Sequence, residues 1–167
     1  MDVEEAIKYL VHEIERYCDN KKPLIIHCIR VAFCLDSYGY SKEVVKAALL
    51  HDLLEDTKAS IVEIEKKFGR TVSDLVIVST FDKNITNKKE RYYENFNKTL
   101  KSGNDALVIR ASDLLDNSFY YPLVEDVNVY NYLLEKLSYF LKLSAPKIGN
   151  EKIYKDLKKR LTVLKKK

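Results

Sequence analysis

The densest chemistry in the chain lies in the run HDLLEDT, where His51, Asp52, Glu55 and Asp56 fall within six consecutive residues. His51 and Asp52 are both metal-ligand types, and Glu55 and Asp56 each follow one of them at a spacing of four. A helix carried through the run would stack the two pairs on adjacent ridges, one turn apart, and turn all these side chains toward one pocket mouth. Three carboxylates that close repel one another unless a cation lies among them or one takes up a proton. Imidazole together with carboxylate suits a borderline transition metal, so the arrangement points to a metal site.

Two adjacent ligands cannot close a coordination shell, and further donors must come from elsewhere. The chain has three histidines. His27 lies in LIIHCIRVAFCL, where Ile26, Ile29, Ala32 and Phe33 recur at helical spacing and predict a packed setting. In ALVIRASDLLDN, Asp113 follows an apolar run, with Asp116 and Asn117 three and four residues on and therefore on its side of a helix. A His, a His-Asp dipeptide and a distant Asp make a set of two nitrogen and two oxygen donors. Each residue taken singly has a plainer reading. A lone His on an apolar helix is more often a satisfied core histidine, Glu55 and Asp56 would pass for solvated acids, and Asn117 for a helix C-cap. Arg30 and Arg110 stand one turn from His27 and Asp113, where each suits a phosphate contact or an ion pair with the surplus acids equally well. His12, in an amphipathic opening helix, reads as a surface histidine.

The dispersed pattern of His27, His51-Asp52 and Asp113 resembles that of the HD superfamily of metal-dependent phosphohydrolases. The segments PLIIHCIRVA, VVKAALLHDLLEDT, IEKKFGRTVSDLVIVST and NDALVIRASDLLDN, in this order, are similar to the hydrolase domain of RelA/SpoT-type alarmone enzymes and to small stand-alone alarmone hydrolases. Roughly residues 23–117 carry the likeness. The resemblance implies an all-α fold, an HD-domain helical bundle with a single metal site between helices. It implies His27, His51, Asp52 and Asp113 as ligands of one ion, typically Mn2+, with Glu55 and Asp56 handling water and protons. The implied substrate is guanosine 3′,5′-bis(diphosphate), cut at the bond between the 3′ oxygen and pyrophosphate. Asn117 matches a family residue near the nucleotide ribose, and Lys88 a phosphate-binding lysine.

Departures from the family pattern concern the substrate pocket. Cys28 follows His27 where Pro is usual, Leu114 stands in place of a basic residue, and Asp116 in place of His or an aromatic. These differences predict an altered charge on the nucleotide surface beside Asn117. The loop before His27 is short, and Lys21 and Lys22 stand in for the basic turn that meets the purine in the family; Arg30 completes the set of candidate substrate contacts.

A length of 167 residues fits one domain, 1–167, with the motifs in 23–117 and C-terminal helices over 118–167. Cys18, Cys28 and Cys34 are odd in number and lack CxxC spacing, which reads as free thiols of a reducing, cytoplasmic protein. No signal peptide and no apolar run of membrane-spanning length is present. The net charge of +4 comes with a lysine-rich end, which is more often solvated surface than a nucleic-acid footprint, and no motif for sequence-specific nucleic-acid binding occurs. The expected partner is a small nucleotide.

Four glycines and three prolines interrupt the chain, and apolar spacing is helical nearly throughout. Helices are predicted to about Cys18, then over about 24–37, 41–54, 60–68, 70–79, 88–102, 104–116, 128–143 and 151–165, with Ser41 as an N-cap. In LVIVST the β-branched residues leave strand and helix open. Lys83–Asn87 reads as a loop beside the site. Beside the alarmone pyrophosphohydrolase stand two other readings, a phosphohydrolase of another nucleotide and a non-catalytic module that keeps its metal for structure or sensing. The surplus acids Glu55 and Asp56 speak against the last.

Overall fold

The apolar periodicity resolves into a helical array with α2, α3 and α8 at its centre. The computed structural model describes residues 2–18 and 23–166. α1 (Val3–Tyr17) starts where the Asp2 carboxylate accepts from the Val3 N–H, and turns Ala6, Tyr9 and Leu10 inward. His12 on its other face is exposed, as expected. α2 (Leu24–Ser37) begins directly after Pro23 and buries Leu24, Cys28, Val31, Ala32 and Leu35. Cys28 in place of Pro therefore leaves the helix start intact. Two residues expected to pack around His27 do not, since Ile26 is 53% exposed and Phe33 49%. The buried stripe is offset from them by about half a turn of the helix, a difference that apolar content alone does not encode.

α3 (Lys42–Leu50) follows the Ser41 N-cap, whose hydroxyl accepts from the Val44 N–H at 3.3 Å. It is buried along most of its length, from Val44 through Leu50. Instead of running on to residue 54, it breaks at His51 and Asp52 and resumes as the single turn α4 (Leu53–Asp56). The break has a local cause: the His51 Nδ1–H donates to the Ala48 carbonyl at 2.8 Å, taking an acceptor at the end of α3.

α5 (Ile61–Phe68) and α6 (Arg70–Ser79) meet at Gly69, whose φ of +91° lies where side chains are disfavoured. The ambiguous LVIVST run is helical because Val72, Leu75, Val76 and Ser79 all turn into the core at helical spacing. α7 (Lys88–Ser102) is capped by the Asn87 side chain, which accepts from the Lys89 and Glu90 N–H groups. α8 (Asn104–Ser118) packs against α2, and the Ser112 hydroxyl donates to the Val31 carbonyl at 2.9 Å. A 3-10 turn (Tyr121–Leu123), which sequence did not show, leads to α9 (Val127–Ile148) and α10 (Lys152–Leu164). α9 runs on through Pro146, beyond its expected end near 143.

The last helices brace the helix that carries the third motif. α10 lies on α8, and the Arg160 guanidinium donates to the Ser118 carbonyl at 2.9 Å, an acceptor that the helix itself leaves free. Tyr38 and Tyr40, between α2 and α3, donate to Asp156 and Glu151 at 2.5 and 2.6 Å and fasten α10 from the other side. None of Cys18, Cys28 and Cys34 is joined in a disulfide. Cys28 is buried and the other two are partly so. Among the described residues, no helix is long and apolar enough to cross a membrane.

Candidate active site

Four helix segments deliver the predicted ligands to one point. His27 comes from the first turn of α2, His51 and Asp52 from the break between α3 and α4, and Asp113 from the middle of α8. His51 and Asp52 keep right-handed helical dihedrals across this junction. His27 Nε2 lies 3.6 Å from Asp52 and 3.4 Å from Asp113. His51 Nε2 lies 3.1 Å from Asp52 and 3.8 Å from Asp113. Donor atoms of His27, His51 and Asp113 all fall within 4.8 Å of one another.

The tautomers are fixed from behind. His51 Nδ1–H is spent on Ala48 O, and His27 Nδ1–H donates to Asp116 Oδ2 at 2.7 Å, so both Nε2 atoms face the shared point. His51 Nε2 is buried and makes no hydrogen bond. A buried nitrogen that makes no hydrogen bond, facing two carboxylates and a second imidazole, fits a divalent cation in ligand type and in direction.

Charge is balanced around the cluster. Burial opposes the His27 charge, but hydrogen bonds to Asp113 and Asp116 outweigh it and raise the imidazole to about 9. Burial also opposes the charge on His51, and the neighbouring Asp52 carboxylate nonetheless holds it well above the usual histidine value. Asp113 is held well below the carboxylate range against its burial, by the two histidines and by Arg110. Arg110 is itself buried, donating to Asp113 at 2.7 Å and to the Ser79 carbonyl at the end of α6.

Glu55 and Asp56 stand on α4 at the wall of the adjoining cavity. Glu55 Oε1 accepts from the Phe81 N–H at 2.8 Å. Burial, reinforced by the Asp52 charge, pushes its carboxyl up to about 7. That places it close to the range in which a carboxylate exchanges protons near neutral pH. His51 is buried away from the cavity while Asp52, Glu55 and Asp56 line it, so the expected convergence of all four at one mouth holds for the three acids.

The cavity is about 520 Å³, of ordinary ligand size. Asn117 and Lys88 line it, and Asn117 Nδ2 donates to Asp113 Oδ1 at 2.5 Å. Arg30 also lines it, but its guanidinium is bonded to both oxygens of Asp116, at 2.6 and 2.8 Å. Lys21 and Lys22 lie outside the described residues. The predicted change of charge beside Asn117 does not follow from the two departures. Leu114 is 1% exposed and faces the core, and Asp116 is neutralised by Arg30 and His27.

Lys83, in the loop expected beside the site, lines the cavity, but sequence reasoning assigned no place in the wall to Phe81, Arg91, Tyr92 or Tyr120. Arg91 and Tyr92 follow Lys88 at spacings of three and four on α7, so the shared helix face was a usable signal. Phe81 was not foreseeable, since its ring is brought by the loop after α6 to within 4.7 Å of the Tyr92 ring and 5.0 Å of the Arg110 guanidinium. Behind Tyr92 lies the buried Lys136 of α9, its ammonium 4.1 Å from the ring centroid. The segment after residue 117 thus reaches the rear of the cavity.

A family model described as HD domain matches residues 6–127. The chain is 36% identical over 118 residues to guanosine-3′,5′-bis(diphosphate) 3′-pyrophosphohydrolase MESH1 of Drosophila melanogaster, covering 68% of this chain and 65% of the relative. It is 42% identical over 99 residues to guanosine-3′,5′-bis(diphosphate) 3′-pyrophosphohydrolase of Aquifex aeolicus, covering 58% of this chain and 14% of that far longer protein. A solved structure described as a metazoan ortholog of SpoT that hydrolyzes ppGpp superposes with a TM-score of 0.81 at 24% identity, covering 96% of this chain and 94% of the other. At that identity the superposition speaks for the fold.

Proposed function

The chain belongs to the HD domain family, and from that premise we propose that it is a metal-dependent guanosine 3′,5′-bis(diphosphate) 3′-pyrophosphohydrolase, releasing pyrophosphate. The observation that carries the reading is the meeting of His27, Asp52 and Asp113 at the wall of a cavity that also holds Lys83, Lys88 and Arg91, with His51 buried directly behind them. Acidic donors that gather a cation, beside cations that gather phosphate, suit a substrate with several phosphate groups. The names of the relatives support the same substrate. In this reading residues 1–167 form one hydrolase domain acting in the cytoplasm.

His27, His51, Asp52 and Asp113 would hold one divalent ion, Mn2+ in our proposal. When bound, such an ion supplies Lewis-acid charge neutralisation and a lowered water pKa. The remaining work falls to the chain. Glu55, whose carboxyl is raised to about 7, takes the proton of the attacking water as the water oxygen bonds to phosphorus and the 3′ oxygen leaves. Asp56 orients that water. Lys88 and Arg91 meet the pyrophosphate, and Asn117, held by Asp113, meets the ribose. Phe81, Tyr92 and Tyr120 bound the cavity with aromatic faces.

Product analysis with Mn2+ tests the proposal, using ppGpp, pppGpp and a panel of nucleoside mono-, di- and triphosphates, with Asp52→Ala as the blank. Pyrophosphate should appear from the 3′-pyrophosphorylated nucleotides alone. Orthophosphate from monophosphates would make the protein a nucleotidase instead, and turnover of nothing in the panel would leave a binding module.

A further inference from the structure

We infer that Asp116 and Arg30 form a positioning relay for His27, in which Asp116 holds the imidazole and Arg30, steadied by Tyr120, holds Asp116. The inference deepens the metal site proposed above and rests on it. Asp116 Oδ2 takes the His27 Nδ1–H at 2.7 Å, which leaves Nε2 facing Asp52 and Asp113. Arg30 Nε meets Asp116 Oδ1 at 2.6 Å, and Arg30 NH2 meets Oδ2 at 2.8 Å, a two-pronged grip that fixes the carboxylate plane. The same NH2 donates to the Tyr120 hydroxyl at 2.9 Å, and the guanidinium lies 5.8 Å from the Tyr120 ring centroid.

The chain of contacts runs from the pocket rim to the metal point through residues none of which is a proposed ligand except His27. A carboxylate behind a ligating histidine fixes its tautomer and raises its basicity. Asp116 is 9% exposed, and its two oxygens are taken by His27 and Arg30. Arg30 thus lines the cavity as part of the relay, and its guanidinium is committed to Asp116 before any substrate phosphate arrives.

The test measures Mn2+ affinity of the substrate-free protein by electron paramagnetic resonance, with folding checked by circular dichroism, in Asp116→Ala, Asp116→Asn, Arg30→Gln and His27→Ala. Asp116→Ala should weaken Mn2+ binding about 10- to 100-fold. Asp116→Asn, which keeps an acceptor for the Nδ1–H but not the charge, should recover part of that loss. Arg30→Gln should weaken binding several-fold with a smaller effect on substrate KM. A change confined to KM in Arg30→Gln, together with wild-type Mn2+ affinity in Asp116→Ala and its loss in His27→Ala, would overturn the relay and leave the metal site standing. Wild-type affinity in His27→Ala would remove the metal site and the relay together.

Discussion

Replacing Glu55 with Gln should make the metal-free protein more stable at neutral pH while destroying its turnover. The Glu55 carboxyl is lifted from an ordinary 4.5 to about 7, first by burial and then by the Asp52 charge. An acid whose folded value lies above its unfolded value costs stability once the unfolded chain ionises. Its contribution is fully present below pH 4.5 and is lost as the pH rises through 7. A rise of 2.5 units, at about 1.4 kcal/mol per unit, amounts to roughly 3 kcal/mol. Gln retains an oxygen to accept the Phe81 N–H, so the substitution removes the ionisation and keeps the hydrogen bond. Urea unfolding in chelator, at intervals from pH 4.5 to 8, should therefore show the variant gaining on the wild type by about 2–3 kcal/mol between those limits. The difference between the two proteins isolates Glu55 from the other titrating groups. Mn2+ beside Asp52 should shrink the gain. A difference that stays constant across the pH range would refute the assignment of a buried, repelled carboxyl, and full turnover by the variant would remove Glu55 from the chemistry.

Asp52→Ala and Asp113→Ala should each abolish Mn2+ binding and turnover, but only Asp113→Ala strands the buried Arg110 guanidinium and should cost about 3–5 kcal/mol in urea unfolding. Asn117→Ala and Lys88→Ala, which touch the cavity and not the core, should raise KM with smaller changes in kcat in steady-state assays. Because His27 is held protonated up to about pH 9, His51 is likewise held well above the usual histidine value, and both must be neutral to bind a metal, Mn2+ affinity should rise by up to about a hundredfold per pH unit above neutrality. Calorimetry in buffers of differing ionisation enthalpy should register the released protons, and pH-independent binding would contradict the charge state assigned to His27.

Helix content and order were legible because the buried residues of α1, α2 and α6 recur at helical spacing. The break at His51 and Asp52 was not, since apolar rhythm runs unbroken from Ala47 to Leu54 and the Nδ1 bond to Ala48 that ends α3 is a side-chain choice. Which face of α2 packs was also beyond reach: Ile26 and Phe33 are as apolar as Val31 and Leu35, and only the position of α3 and α8 tells them apart. Candidate ligands could be named from residue type because a metal narrows the choice of donors. The cavity wall offered no such filter. Phe81 and Tyr120 join it through loop and turn geometry, whereas Arg91 and Tyr92 could have been found on the face of Lys88. Asp116 is the instructive error: read as a change of charge at the surface, it is a carboxylate whose charge is already answered by Arg30 and His27.

Arg110 carries a consequence for the order of assembly. Its guanidinium sits in the interior as a built-in counter-ion to Asp113, tying α8 to the end of α6 through Ser79. Small zinc modules, by contrast, have little to hold their ligands together until the ion arrives, and for them metal binding and folding are one event. Here the helices that bear the proposed ligands have a large apolar core of their own, and the protein's own cations answer part of the acid cluster. The chain can thus reach its native shape empty and acquire its ion later, as a finished receptor. Metal scarcity would then idle the protein without unfolding it, and resupply would restore it on the time scale of binding, with no need for resynthesis.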